Sequence, residues 1–188
     1  MKRKGYGQVE PNHLSAPRTG QVYAQLPATG ITQLENGQFL KYDYKNKKAG
    51  VGEDGDGKEW FLVFNEEKLY DERRQNHRDF VVKASDMADG VIYPRLLKTN
   101  VGDIFTTNTF RTSDGATVTG PDAEITMPDL TVGDFLEIDE DGWLKKVTGT
   151  PSAGMVFQVV PHFTQIENAQ AKYTLPDAQP AVKVQRIK

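Results

Sequence analysis

The sequence has 188 residues and no cysteine, which excludes disulfides, thiolate metal sites and a cysteine nucleophile. This composition fits assembly in a reducing cytoplasm. No apolar run approaches the ~20 residues that span a bilayer, so no membrane partner is expected. The start, "MKRKGYGQVEP", is positively charged, but no apolar stretch follows it, so it does not resemble a secretory signal.

Motifs for catalysis and for phosphate or metal binding are also missing. The histidines His13, His77 and His162 stand in unrelated contexts without metal-ligand spacing. No serine lies in a G-x-S-x-G elbow, and no glycine-rich phosphate loop opens a helix. The stretch "EDGDGKEW" fails the calcium-loop pattern because Lys58 stands at a ligand position. We therefore expect an acidic turn there, no catalytic or metal site, no cofactor and no enzymatic activity.

Charge is unevenly distributed along the chain. The net charge is −3, of which residues 1 to 30 contribute +3 and residues 31 to 188 contribute −6. In the first segment, glycine or proline recurs every few residues, which disfavours a helix and interrupts a strand ladder. Its apolar side chains nevertheless exceed those of a flexible linker. Two alternatives stay open, a basic tail that binds an acidic surface or nucleic acid, and a solvated leader.

We expect two parts, an extended basic arm at residues 1 to 30 and a β-rich globular body at residues 31 to 188. The arm is expected to become ordered by lying on another surface, while the body folds alone. The candidate partner-binding residues are the arm's cations and apolar side chains: Lys2, Arg3, Lys4, Val9, Leu14, Arg18, Val22, Tyr23 and Leu26.

A hairpin motif is repeated beyond residue 30. In "TVGDFLEIDEDGWLKKVTG", residues 131 to 149, Leu136 and Ile138 alternate with Glu137 and Asp139, the period of a half-buried strand. An Asp-Gly turn and a return strand follow. The stretch "ENGQFLKYDYKNKKAG", residues 35 to 50, repeats this arrangement, and "NVGDIFTTNTFRTSDG", residues 100 to 115, is a looser echo.

Further strands are predicted at "EWFLVFN", "DFVVKAS", "GVIYPRLL", "GMVFQVVPHF" and "AVKVQRI", with turn clusters between them. Many short strands at regular intervals predict a mainly β fold, either a β-sandwich or a small barrel-like body built from hairpins, with an extended N-terminal arm. Residues 65 to 79 form either an exposed helix or a charged hairpin. The stretch "HFTQIENAQAKYTL" forms either a helix or a strand, and "AVKVQRIK" either closes the sheet or makes a second contact.

Four aromatic residues allow two interpretations. Trp60, Trp143, Tyr42 and Tyr44 either form a stacking platform for sugar or single-stranded nucleic acid, or anchor a core or an interface.

The motifs "VGDFLEIDEDGWLKKV", "VGDIFTTN" and "FLVFNEEKLYDE", together with the basic arm, resemble head decoration (cement) proteins of tailed bacteriophages, mainly over residues 35 to 160. The resemblance implies a non-enzymatic virion protein, assembled in the host cytoplasm, that binds the outer capsid surface and bridges major capsid protein subunits. It implies no direct contact with nucleic acid and leaves a homo-oligomer open. The alternative function is a carbohydrate- or surface-binding β module of a phage fibre or adhesin.

Overall fold

The computed structural model of the chain describes residues 5–23, 26–51, 59–66, 80–112, 129–162, 173–175 and 180–188. Its helices are α1 (Ala16–Thr19) and α2 (Ala84–Ala88). Its strands are β1 (Val9–His13), β2 (Val22–Tyr23), β3 (Gln33–Leu34), β4 (Phe39–Asp43), β5 (Lys48–Gly50), β6 (Phe61–Val63), β7 (Val82–Lys83), β8 (Leu96–Lys98), β9 (Ile104–Thr107), β10 (Phe110–Arg111), β11 (Phe135–Ile138), β12 (Leu144–Lys146), β13 (Phe157–Val159), β14 (Tyr173–Thr174) and β15 (Pro180–Arg186). The predicted mainly β fold is confirmed.

The strands form three sheets. The first has the order β1-β9-β15-β13-β11-β12-β10, with β14 paired to β15, and the second has the order β2-β8-β6-β4-β5. The third consists of β3 and β7. Pairing between these strands is antiparallel, apart from the parallel pair β10 and β12.

The second sheet contributes to two hydrophobic cores. Phe39 and Leu97 belong to the first core, which is shared with the first sheet, whereas their neighbours Leu40 and Leu96 belong to the second core. The third sheet and Met87 of α2 supply the other side of the second core. Side chains alternate in direction along a strand, so a strand buried on both faces needs consecutive apolar residues. This explains the unbroken apolar sequences of β6 and the start of β8.

The repeated sequence motif corresponds to a turn that occurs three times, which we call the glycine turn. Its glycines have φ angles in the left-handed region: Gly37 (95°), Gly102 (98°) and Gly133 (100°). In each copy the glycine N–H donates to the carbonyl of the last residue in a neighbouring strand: Val63 at 2.9 Å, Arg186 at 2.8 Å and Val159 at 2.9 Å. The second residue after each glycine pairs with the penultimate residue of that strand, so the three copies share one register.

The residues that follow the three glycines have matching roles. The next side chain accepts the backbone N–H three positions earlier: Gln38 at 2.8 Å, Asp103 at 2.9 Å and Asp134 at 2.8 Å. The third residue after each glycine is fully buried: Leu40, Phe105 and Leu136. The sequence repeat is therefore a structural repeat.

The N-terminal segment differs from its prediction. β1 pairs with β9 of the first sheet and β2 with β8 of the second, while Leu14 and Ala16 lie in the first core. The prediction that this segment forms neither a ladder nor a helix is wrong. Pro17 occupies the first turn of α1 and Pro11 an edge strand, where a missing N–H costs little. The surface on which the described part of the segment lies belongs to its own chain, and the expectation that residues 31 to 188 fold alone stays a prediction.

Other sequence predictions have mixed outcomes. "DFVVKAS" forms β7 but continues into α2, where the Asp86 side chain accepts the N–H of Lys83. "GVIYPRLL" is a strand only from Leu96 onward. "AVKVQRIK" contributes to β15, which lies between β9 and β13 in the first sheet. This agrees with the alternative in which the segment joins the sheet. The alternatives for residues 67 to 79 and 163 to 172 lie outside the described residues.

The face assignment of β11 is confirmed for its apolar residues. Leu136 is fully buried, and Ile138 packs, half-buried, against the first core. Glu137, predicted as a plain solvent-facing residue, has partners: its Oε1 accepts the N–H groups of Ser152 and Ala153 at 2.7 and 2.8 Å. This carboxylate therefore holds the loop before β13.

Candidate functional site

Among the described residues, those predicted to bind a partner differ in how far they are buried. Lys2, Arg3 and Lys4 lie outside the described residues. Of the others, Leu14 and Leu26 are buried. Val9, Val22 and Tyr23 are half-buried, and Arg18 is exposed. Their role in binding a partner stays a prediction; the buried pair offers little surface for it, whereas the other four residues offer more.

Tyr23 belongs to an aromatic group at one end of the second sheet. Its ring centroid lies 5.5 Å from that of Tyr42 and 6.1 Å from that of Tyr44, and the Tyr42 and Tyr44 centroids are 4.0 Å apart. Phe61 contacts Tyr23 edge-on at 5.1 Å from within the second core. The three tyrosines, which we call the tyrosine cluster, open to solvent at Tyr44, whose exposed fraction is 49%.

The tyrosine cluster adjoins the turn between β4 and β5, whose shape depends on Asp43. The Asp43 carboxylate accepts the side-chain and backbone N–H groups of Asn46 at 2.7 and 3.0 Å. These hydrogen bonds, with a smaller contribution from the charge of Lys48, hold the pKa of Asp43 below its usual value. Asp43 thus serves the turn as a charged acceptor, while Lys45 and Lys47 are exposed.

The turn between β11 and β12 has an equivalent aspartate. Asp139 Oδ1 accepts the N–H groups of Asp141 and Trp143 at 3.0 and 2.9 Å. Arg111 of β10 pairs with both carboxylates, its Nε 2.5 Å from Asp139 Oδ2 and its Nη2 2.7 Å from Asp141 Oδ2. The guanidinium also lies 5.9 Å from the Trp143 ring centroid. This turn is therefore fixed against the body of the chain.

The predicted stacking platform is assembled only in part. Trp143 is 7% exposed, and Trp60 packs against the first core, with Lys41 Nζ 4.7 Å from its ring centroid. Only Tyr42 and Tyr44 come together. The two tryptophans are packing residues, the second of the interpretations that the sequence allowed.

An open pocket of about 440 Å³ has His13, Ser15 and Asp103 in its lining. These residue types occur in hydrolases, but here Ser15 Oγ donates directly to Asp103 at 2.9 Å. Asn100 Nδ2 donates to Ser15 Oγ at 2.6 Å and to Gln21 Oε1 at 2.9 Å, and the Asn100 N–H donates to Asp103. In the Ser-His-Asp triad the serine donates to a histidine, which the aspartate orients. This network instead ties the N-terminal segment to the second glycine turn.

The capping aspartate of the third glycine turn is also an ion-pair partner. Asp134 Oδ2 accepts the N–H of Thr131 at 2.8 Å and lies 2.7 Å from Lys146 Nζ. Partial burial by itself would raise the pKa of Asp134. The hydrogen bonds from Lys146 and Thr131 outweigh that effect and hold the pKa below its usual value.

Within the described ranges, no group of three or more His, Cys, Asp and Glu side chains has the arrangement to hold a metal ion. No helix in that part of the chain is long and apolar enough to cross a bilayer. His77 and most of the predicted acidic turn, its residues 53 to 58, lie outside those ranges.

Sequence reasoning missed the role of Arg111. Nothing in the local pattern around Arg111 connects it with Asp141, 30 residues later in the chain, or with Asp139 beside it. The available signal was the charge of "DEDG", because adjacent carboxylates in a hairpin turn favour a nearby cation.

No known protein-family model, no curated protein and no solved structure matches this chain. The resemblance to decoration proteins therefore stays a prediction, and the function is inferred from the residues of this chain.

Proposed function

We propose that this chain is a structural virion protein that binds the outer surface of an assembled bacteriophage capsid and stabilises it by bridging major capsid protein subunits. The observation that supports the proposal most is the glycine turn. The motifs that resemble decoration proteins, "VGDFLEIDEDGWLKKV" and "VGDIFTTN", have the same structural role at both positions. In each, an aspartate after the glycine closes the turn, and the residue two places later is buried.

The carboxylates of these motifs are engaged in building the body. Asp103 and Asp134 cap glycine turns, and Asp43 and Asp139 close hairpin turns. A carboxylate already bonded to backbone N–H groups is poorly suited to act as a general acid or base. We accordingly expect the purified chain to show no hydrolase, transferase or nucleotide-binding activity. ATP- or metal-dependent turnover that is lost on substituting one acidic residue would contradict this.

Shells of the major capsid protein assembled without this chain provide the direct test. Purified chain should co-sediment with them to saturation and appear as added density on their outer surface by electron cryomicroscopy. Bridging predicts that decorated shells rupture at a higher temperature than bare shells. Failure to bind overturns the proposal, and an unchanged rupture temperature at full occupancy overturns the stabilising role.

The second candidate function, a carbohydrate- or surface-binding β module of a phage fibre or adhesin, is favoured by the tyrosine cluster. Tyrosine ring faces pack well against the apolar faces of sugars. A glycan array probed with the chain and with its Tyr44→Ser variant separates the two functions. Saturable glycan binding that Tyr44→Ser loses would support this second function in place of the capsid role.

A further inference from the structure

The hairpin turns that follow β4 and β11 have a common plan. In both, the sixth residue after the turn glycine is an aspartate, Asp43 or Asp139, whose carboxylate accepts N–H groups from within the turn. We call residues 43–48 the basic tip and residues 139–143 the acidic tip. The basic tip contains one aspartate and three lysines, a net charge of +2, and the acidic tip contains three acidic residues and no basic one.

The acidic tip is docked within the chain. Arg111 pairs with Asp139 and Asp141, and the Trp143 side chain beside this arginine is buried. The Gly142 carbonyl accepts the N–H of Phe39 at 2.7 Å, which joins this tip to β4. A tip of this design is thus held by opposite charge, an aromatic anchor and one backbone hydrogen bond.

The basic tip also carries charged side chains and an aromatic ring, but it exposes them to solvent. Lys45 and Lys47 are exposed, and the Tyr44 side chain is 49% exposed. Tyr44 contacts Tyr42 and Tyr23, which pack in turn on the second core. Because these rings are already held in place, they lose little conformational freedom when they bind, a property of good interface anchors.

We propose that the basic tip and the tyrosine cluster form the surface through which this chain docks on a carboxylate-rich protein surface. The contact would repeat the docking of the acidic tip on Arg111 with the charges exchanged. The inference rests on the proposed function, under which the partner surface belongs to the major capsid protein. It moves most of the docking surface from the N-terminal segment, where Leu14 is already used in the chain's own core, to a hairpin tip, and it keeps Tyr23 of that segment.

A protein surface fits the basic tip better than a nucleic acid does. The Tyr44 ring is tilted by 49° to Tyr42 and by 83° to Tyr23, so the cluster lacks the parallel ring faces on which successive bases stack. Tyrosine, by contrast, is enriched at the centres of protein interfaces.

Binding of single variants to shells assembled without this chain tests the inference. Lys45→Glu should weaken binding about tenfold because it repels an acidic surface, and Tyr44→Ser should also weaken it about tenfold. Lys145→Glu is the matched control: it makes the same charge change at an exposed position on the return strand of the other hairpin. Its affinity should change by about twofold or less. Thermal midpoints equal to that of the wild type would show that all three variants fold.

The possible results separate the two proposals. If the wild type binds and Lys45→Glu and Tyr44→Ser bind equally well, the tip is not the docking surface, while the capsid function stands. Equal losses for Lys45→Glu and Lys145→Glu would show a non-local charge effect and overturn the inference. Wild-type chain that does not bind shells overturns the capsid function and this inference together. Competition by a single-stranded oligonucleotide that depends on Tyr44 would overturn the choice of a protein partner.

Discussion

The turns at Gly37 and Gly133 have the same backbone and different surroundings. Their φ angles are 95° and 100°, and each glycine N–H donates at 2.9 Å to the end of a neighbouring strand. A Cβ at Gly37 would lie 2.3 Å from Thr109 Oγ1 and 2.6 Å from Thr107 Oγ1, whereas a Cβ at Gly133 would meet nothing within 4 Å. Local sequence thus determines the turn, while neighbours from distant segments determine how much space surrounds it.

Gly37 is crowded because buried polar groups from several segments meet beside it. Thr109 Oγ1 donates to the Asn36 carbonyl at 2.7 Å, and the Asn36 side chain exchanges two hydrogen bonds with the backbone of Asn65. A Cβ at Gly7 would also lie within 2.5 Å of this group. Buried polar groups need their partners, so this seam between the two large sheets tolerates little displacement.

We call each of the glycine turns at Gly37 and Gly133, together with the strand that follows it, a module. The largest effect is expected where the two modules agree, at the third residue after the glycine. Leu136→Asp should lower the free energy of unfolding by about 4 kcal/mol because it places an unpaired charge in the first core. Leu40→Asp, the equivalent change in the other module, should be comparably severe since Leu40 is also fully buried. Urea unfolding followed by tryptophan fluorescence measures both.

Glu137→Gln is the matched control for Leu136→Asp. It keeps an acceptor for the N–H groups of Ser152 and Ala153 and should change stability by about 0.5 kcal/mol or less. Near-equal urea midpoints for Leu136→Asp and Glu137→Gln would show that the faces of β11 are assigned wrongly.

Substituting either turn glycine by alanine should cause an intermediate loss of stability, and the loss should be larger at Gly37 than at Gly133. Gly133→Ala should cost about 1–2 kcal/mol, because an L residue is strained at this φ. Gly37→Ala should cost roughly 2–4 kcal/mol, because overpacking against Thr107 and Thr109 adds to the same strain. Differential scanning calorimetry of the two variants compares them directly, and equal losses would mean that the surroundings of Gly37 yield without cost.

The smallest expected effect concerns the residues that cap the two glycine turns, Asp134 and Gln38. Their contributions to stability should differ in their dependence on pH. The pKa of Asp134 is lowered in the folded chain, so its charge stabilises the fold above the unfolded pKa of about 3.9 and the contribution disappears as pH falls through the folded value. Asp134→Asn should therefore cost on the order of 1 kcal/mol at pH 7 and progressively less below about pH 4.

Gln38, the corresponding residue of the Gly37 module, is the uncharged control. It makes the same backbone bond without an ionisable group, so the loss caused by Gln38→Ala should not vary with pH. Urea unfolding at a series of pH values measures both variants. A loss for Asp134→Asn that persists unchanged at low pH would show that the charge of Asp134 does not contribute.

Prediction from sequence succeeded where the signal was local. Alternation in "DFLEID" identified the buried face of β11. The repeated glycine with its following strand identified the turns at Gly37 and Gly133, and its looser copy identified the turn at Gly102. It failed for the N-terminal segment, since the pairing of Val9 with Thr107 joins residues far apart in the chain. It also failed for Arg111, whose ion pairs depend on a hairpin that comes later in the sequence.

The sequence by itself determined many of the strands beyond residue 30, the three glycine turns and the opposite charges of the two hairpin tips, because these follow from side-chain periodicity, glycine's access to positive φ and residue type. Only the tertiary structure decided that Leu14 is core, that Gly37 is crowded and Gly133 open, and that the acidic tip has an internal partner. Burial and ion pairing depend on which distant segments meet. Sequence neighbours carry little information about such contacts.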